Sequence, residues 1–208
     1  MRKPSESYLK LKKATDKILS GAGLVVLSPV FAGIAIAIKL EDGITAPVFF
    51  KQKRVGIHKS HFMLYKFRSM QTDTPHDMPT HLLTDPEQYL TGTGRWLRKT
   101  SLDELPQLFN VLKGDMTFVG TRPEVPKYTA HYTEEMMATF LLPAGVTSRT
   151  SIEYKDEEKL LENAENADEV YINEVLPAKM VYNLREIEKF SFLRDISTMI
   201  KTVIAVIK

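Results

Sequence analysis

The chain has no cysteine among its 208 residues. That excludes a disulfide framework, a zinc–thiolate site and a cysteine nucleophile, and suits a reducing compartment. Any covalent chemistry therefore has to use oxygen or nitrogen groups. Several catalytic signatures are missing too: there is no Gly-rich P-loop, no GxGxxG after a strand, no HExxH and no GxSxG. His58, His61, His76, His81 and His131 share neither a face nor a metal-site spacing. Net charge is scarce: the formal total of +2 is too small to suggest a nucleic-acid partner. The signs are segregated, however. Basic residues crowd the first two thirds and acidic ones gather between Glu153 and Glu174, so a positive region is available to phosphates or anionic lipid.

What is present begins with an uncharged run of 21 residues, ILSGAGLVVLSPVFAGIAIAI, between Lys17 and Lys39. As one continuous helix it would extend about 31 Å, close to the hydrocarbon thickness of a bilayer. A soluble core helix seldom runs so far without a charge, and a cleaved signal peptide would have a shorter apolar region and a small-residue cleavage site. Ser28-Pro29 sits at the midpoint, where proline removes a helical hydrogen bond at about 3 kcal/mol unless the helix bends. The Ser28 hydroxyl is the nearest group able to satisfy the freed backbone. Arg2, Lys3, Lys10, Lys12, Lys13 and Lys17 precede the run, and Lys39, Lys51, Lys53 and Arg54 follow it. Cations mark the cytoplasmic side, so both ends are expected there and residues 1–40 read as a kinked re-entrant membrane helix. A kinked spanning helix with a short outside tail is the alternative. Residues 41–208 read as one integrated cytoplasmic unit.

Downstream, PVFFKQKRVG and HFMLYKFRSM read as two strands joined around Gly56 to Ser60. Residues 71–94 read as an irregular connection with at most a short helix. RWLRKTSLDELPQLFNVLKGD places Leu105, Leu108, Phe109 and Leu112 at helical spacing, with Gly114 as a stop. A strand, MTFVG, leads into TRPEVP. Tyr128 to Leu142 reads as a helix broken by Pro143 and Gly145, and residues 156–169 as an acidic, solvated helix. The final stretch places Ile187, Phe190, Leu193, Ile196, Ile200, Val203 and Ile207 on one stripe of an amphipathic helix. That stripe either packs on the core or lies in a membrane interface. The fold class is α+β, a small β-hairpin or sheet with amphipathic helices.

Asp103 and Glu104 are adjacent carboxylates near a helix start. Ser101-x-x-Glu104 has the form of a capping box, in which the acids only complement the positive helix end. Pro106 opposes that reading, and a helix starting at Pro106 would leave both carboxylates just ahead of it. In either case an electropositive terminus binds phosphate and keeps a carboxylate ionised, which suits a nucleophile or a magnesium ligand. Arg95, Arg98 and Lys99 precede the pair, Arg122 follows a predicted strand, and Lys66 and Arg68 lie on an earlier one. A diphosphate substrate needs this mixture of phosphate-holding cations, a divalent metal and a positioned carboxylate. For any single residue, a scattered surface cation is the plain alternative.

The segments VFFKQKRVG, FMLYKFRSM, LTGTGRWLRKTSLDELPQLFNVLKGDMTFVGTRPE and the apolar run with Ser28-Pro29 resemble the bacterial sugar transferase family, the monotopic phosphoglycosyl transferases. The resemblance implies a catalytic domain at the cytoplasmic face of the bacterial inner membrane, with a helix broken at Ser28-Pro29 embedded in membrane lipid. It implies that Asp103 attacks the β-phosphate of a UDP-sugar, releasing UMP, and that polyprenol (undecaprenyl) phosphate then attacks the covalent sugar-phosphate. Glu104 would help Asp103 hold Mg2+; Lys66, Arg68, Arg98 and Arg122 would bind substrate phosphates, and Asp195 would lie near the active site on the substrate side. Thr121-Arg122-Pro123 stands where the family has Pro-Arg-Pro, and Ala144 interrupts a usual Pro-Gly pair. Two other functions compete: a non-catalytic peripheral protein holding anionic lipid, and a metal-dependent nucleotide-sugar hydrolase.

Overall fold

The computed structural model describes residues 5–75, 86–154, 161, 164, 166–189 and 191–207. In it the apolar run is split between two helices, α1 (Glu6–Val26) and α2 (Ser28–Asp42), which meet at a 60° bend. Pro29 lies in the first turn of α2, where a missing N–H does no harm. A straight helix would pair residue 29 with the carbonyl of Val25; here that carbonyl accepts from Ser28 Oγ at 2.8 Å. The serine thus supplies the bond that the proline cannot make. Among the described residues no single helix is long and apolar enough to cross a membrane.

Two strands follow as read from the sequence, β1 (Phe49–Val55) and β2 (His61–Phe67), antiparallel with Phe50 opposite Lys66 and Arg54 opposite Phe62. The two-residue period places Phe50, Gln52, Arg54, Phe62, Leu64 and Lys66 on one face. α3 (Gly92–Lys99) starts against the end of β2, and a Cβ on Gly94 would fall 1.9 Å from Ser69 O, so only glycine fits. The Glu41 carboxylate accepts from Gly92 N at 2.6 Å and Thr93 N at 2.8 Å, joining α2 to the start of α3. Next comes α4 (Gln107–Lys113), closed by Gly114 at φ 91°. Its Asn110 is fully buried and acts as a surrogate strand for β2: Nδ2 donates to Met63 O at 2.7 Å and Oδ1 accepts from Tyr65 N at 3.0 Å.

A second sheet, absent from the sequence reading, pairs β3 (Met116–Val119) in parallel with β4 (Ala144–Thr147). Its backbones close tightly beyond β3, where a Cβ on Gly145 would lie 2.1 Å from Gly120 N. The helix expected from Tyr128 to Leu142 is instead two short pieces, α5 (Pro126–Thr129) and a 3-10 turn Met136–Leu141. The threonines at the break bond locally: Thr129 Oγ1, at the end of α5, donates to Pro126 O at 3.0 Å and Thr133 Oγ1 accepts from Met136 N at 3.3 Å. Such bonds compete with a continuous ladder. After β4 come α6 (Arg149–Glu153) and α7 (Ala167–Val170), which passes through a π-helical turn, Tyr171–Val175, into α8 (Leu176–Glu188). Pro177 lies at the start of α8 and lacks the donor a regular helix would use, which accounts for the widened turn. Most of the acidic helix expected at 156–169 lies outside the described residues.

The terminal stretch is not one helix: α8 ends at Glu188 and α9 (Phe192–Ile207) begins anew. Of its apolar stripe, Ile187 is buried at the end of α8 and Phe190 lies outside the described residues, but the α9 part does not pack on the core: Leu193 is 78% exposed and Ile200 and Val203 are exposed as well. The polar face turns inward instead. Thr202 Oγ1 meets Thr147 Oγ1 at 2.7 Å, and Asp195 accepts from Lys12 Nζ at 2.5 Å and Tyr8 OH at 3.2 Å. α1 has the same inverted polarity: Lys12, Asp16 and Ser20 are buried while Leu11, Ile18 and Val25 are exposed. Asp16 accepts from Thr117 Oγ1, and Ser20 Oγ donates to Leu108 O at 2.6 Å. The larger apolar core gathers Tyr128, Tyr132, Phe140, Tyr171, Leu176 and Met180; a smaller one joins α2 to β2 and α3 through Ile34, Ile38, Phe67 and Leu97.

Candidate active site

Ser101, at φ 55°, turns the chain out of α3, and one 3-10 turn, Leu102–Glu104, carries both carboxylates before Pro106 opens α4. Ser101 makes no side-chain cap bond, so the capping-box reading fails and the later helix start is the one adopted. Glu104 points to cations instead. Lys66 Nζ, from β2, lies 2.9 Å from Glu104 Oε1 and 3.5 Å from Asp103 Oδ2. Arg122, from the loop after β3, donates to both Glu104 oxygens, with Nη1 3.1 Å from Oε2. This is the forked pairing that a guanidinium makes best. Burial pushes the Glu104 carboxyl up, but Arg122 and Lys66 outweigh it and hold the group well below the usual carboxylate range. Glu104 in turn pushes Arg122 higher. Asp103, 6% exposed, differs: among the described residues it accepts no hydrogen bond, its ion pair is with Lys66 alone, and it feels Arg122 only at longer range.

Four predicted residues therefore come together: Lys66, Asp103, Glu104 and Arg122. Arg68 is elsewhere engaged, its Nε donating to Pro47 O at 2.8 Å, where it secures the approach to β1. Arg98 Nε donates to Ser69 Oγ at 3.2 Å, at the end of β2. Asp195 lines a surface cleft with Tyr8, Lys12, Arg149 and Arg194, and the cleft is also lined by Gly120 and Thr121, which immediately precede Arg122.

Among the described residues no group of three or more His, Asp or Glu side chains could cage a metal. Magnesium seldom uses such a cage; it takes one or two carboxylates, waters and substrate phosphates. The residues present fit that habit. A carboxylate offers about four lone-pair sites; Glu104 has three engaged by Lys66 and Arg122, whereas Asp103 accepts no hydrogen bond among the described residues and is the carboxylate better able to take a cation.

The sequence reading passed over Glu124, Tyr171 and Lys179 as site neighbours. Glu124 Oε1 accepts from Tyr171 OH at 2.6 Å and lies 3.6 Å from Lys179 Nζ, with Arg54 at 3.9 Å. One signal was available, since Arg54 shares the strand parity that brings it to the Lys66 face.

A model of the bacterial sugar transferase family matches residues 7–208 of the chain. A UDP-glucose:undecaprenyl-phosphate glucose-1-phosphate transferase of Xanthomonas campestris is 31% identical over 207 residues, covering 97% of this chain and 40% of that protein. A UDP-N-acetylgalactosamine-undecaprenyl-phosphate N-acetylgalactosaminephosphotransferase of Aeromonas hydrophila is 31% identical over 204 residues, 96% of this chain and 44% of its own length. An undecaprenyl-phosphate galactose phosphotransferase of Salmonella typhimurium is 35% identical over 151 residues, 66% of this chain and 31% of its own length. The chain thus spans less than half of each of these longer relatives. With its apolar helix pair, its carboxylate dyad and a match over nearly its whole length, the chain belongs to the bacterial sugar transferase family.

Proposed function

We propose that this protein transfers a sugar 1-phosphate from a UDP-sugar to undecaprenyl phosphate, releasing UMP, at the cytoplasmic face of the bacterial inner membrane. The observation that carries the reading is the unequal dyad: Asp103, buried beside Lys66, accepts no hydrogen bond among the described residues, whereas Glu104 is bound by two cations. The three relatives' names share the undecaprenyl-phosphate acceptor and differ in the sugar, so the acceptor class carries over and the sugar does not. In the first step an Asp103 oxygen attacks the β-phosphorus; the bond from that phosphorus to the bridging oxygen breaks, and UMP leaves with the electron pair. In the second, a phosphate oxygen of the acceptor attacks the same phosphorus, breaking its bond to Asp103 and restoring the carboxylate. Splitting the transfer lets a soluble donor and a lipid acceptor use one site in turn. Lys66 and Arg122, both bonded to Glu104, would hold phosphate oxygens. Mg2+ held by Asp103 and Glu104 with substrate phosphates would supply neutralisation of the diphosphate charge.

The membrane reading is supported by the outward apolar faces of α1 and α9 and by the bent pair α1–α2, which is long and apolar enough to reach across a membrane only as a pair. Exposed apolar stripes over buried polar ones suit a lipid surface rather than water. With cations on both flanks, the pair reads as re-entrant and the protein as monotopic.

The test is UMP release from a panel of UDP-sugars, with and without undecaprenyl phosphate and magnesium, followed by β-32P-labelled donor without acceptor. Wild type should release UMP in an acceptor-dependent way and retain label after denaturation; folded Asp103→Asn should retain none, because an amide is a very poor nucleophile toward phosphorus. Release unaffected by acceptor would indicate a hydrolase, and no release a lipid-binding protein. Label on Asp103→Asn would move the nucleophile elsewhere, with Glu104 the first candidate.

A further inference from the structure

Arg122 rides on a loop that is held from two sides. Gly120 N donates to Thr147 O at 3.0 Å and Gly145 N to Thr121 O at 2.9 Å, fixing it to β4. From β1, Arg54 Nη1 donates to Pro123 O at 3.0 Å and Val55 N to Glu124 O at 3.0 Å. The Glu124 side chain then turns inward to Tyr171 OH, Lys179 and Arg54, and Lys179 Nζ also donates to Tyr171 OH at 3.2 Å. Glu124 and Lys179 side chains are each only 11% exposed. Two cations and one carboxylate have been taken out of water here, where apolar side chains of similar volume would often be as stable. Stability alone is therefore a weak reason for the arrangement. Position is a better one, because the charges of Arg122 and Glu104 are felt at Arg54 and that of Glu124 is felt at Arg122. The π-helical turn begins at Tyr171, the residue whose hydroxyl reaches Glu124, and such turns recur at functional positions.

We propose that Glu124 is a positioning residue for Arg122: with Arg54 it fixes the loop that aims the Arg122 fork at Glu104, and through Tyr171 and Lys179 it ties that fork to the seating of α7 and α8. This rests on the dyad being the active site. It makes the distant helical run a determinant of the phosphate-binding geometry, since a shift of α8 carries Lys179 and Tyr171 away from Glu124 and loosens the loop.

The test is a double-mutant cycle in the full chain, purified in detergent, using Glu124→Gln, Arg122→Ala and both together. Glu124→Gln is expected to lower kcat for UMP release by about 10- to 100-fold, as for outer partners that orient an active side chain, with less change in donor KM. In the Arg122→Ala background the same substitution should change the rate by less than about twofold. Equal fold-losses in the two backgrounds would overturn the proposal. Thermal unfolding midpoints of the same four proteins form a second cycle that needs no turnover; non-additive shifts are expected, and additive shifts overturn the proposal. A wild type that releases no UMP would sink the functional reading while the unfolding cycle still decides the coupling. Should Glu124→Gln fail to fold, Tyr171→Phe, which removes one hydroxyl, enters both cycles in its place.

Discussion

At the scale of single residues, two adjacent carboxylates are given different roles by their partners rather than by their chemistry. Glu104 receives a guanidinium fork and an ammonium, while Asp103 keeps its lone pairs. The consequence for acid stability has a definite sign. Because the folded-state carboxyl of Glu104 titrates below its ordinary 4.5, the unfolded chain binds the proton more readily, and stability is fully present above that value. It is lost as pH falls through the lower, folded value. Glu124 adds in the same direction: burial pushes it up, and Lys179 and Arg54 push it down by more. The unfolding midpoint should therefore start to drop as pH falls through about 5 and go on dropping toward the depressed folded-state values. Glu104→Gln should be less stable than wild type at pH 7 and should drop less over that interval. Parallel curves for the two proteins, followed by circular dichroism in detergent, would show that Glu104 is not the group responsible. The pair itself was legible as adjacent carboxylates near a helix start, with its catalytic reading implied by the family resemblance; the division between them was not, because it depends on Lys66 and Arg122, one from each side in sequence.

At the scale of elements, the site depends on one contact that brings a strand against a helix. β2 delivers Lys66, α4 follows the dyad, and Asn110 joins them by filling the place of a neighbouring strand. Asn110→Ala would leave a buried N–H and a buried carbonyl without partners, so a loss of about 2–3 kcal/mol is expected from denaturant unfolding. Asn110→Asp should be destabilised as well, since a carboxylate cannot donate to Met63 O. A loss below about 0.5 kcal/mol for Asn110→Ala would mean that β2 is held chiefly by β1 and the apolar core. The hairpin was readable from its turn and alternating pattern, and α4 from Gly114. The break between Tyr128 and Leu142 was not, because Tyr128, Tyr132 and Phe140 have helix-like spacing and still reach one core across it. The parallel β3–β4 pair was hidden for another reason: four-residue strands carry little periodicity, and their pairing is set by close approach at Gly120 and Gly145.

At the scale of the whole molecule, helices at opposite ends of the chain share an inverted polarity, with polar faces meeting across Lys12 and Asp195 and apolar faces outward. If the bent pair is re-entrant, residues on both flanks face the same compartment. The natural absence of cysteine makes this simple to measure: Ser5→Cys and Ser60→Cys should be equally shielded from an impermeant thiol reagent outside intact cells. Labelling at residue 5 alone would establish a spanning helix. Pro29→Ala should shift the protein toward that spanning form, because it restores the missing donor at the bend. The sequence by itself determined the bend, the hairpin, the dyad and its basic surroundings, since each depends on neighbours a few residues apart or on the chemistry of a residue type. Only the tertiary structure decided which cations reach the dyad, which way α1 and α9 face, and that Glu124 joins Arg54 to Lys179 behind the loop. Those outcomes depend on which of several chemically equal arginines, lysines and stripes are brought together by long-range packing, and local pattern carries no record of that choice.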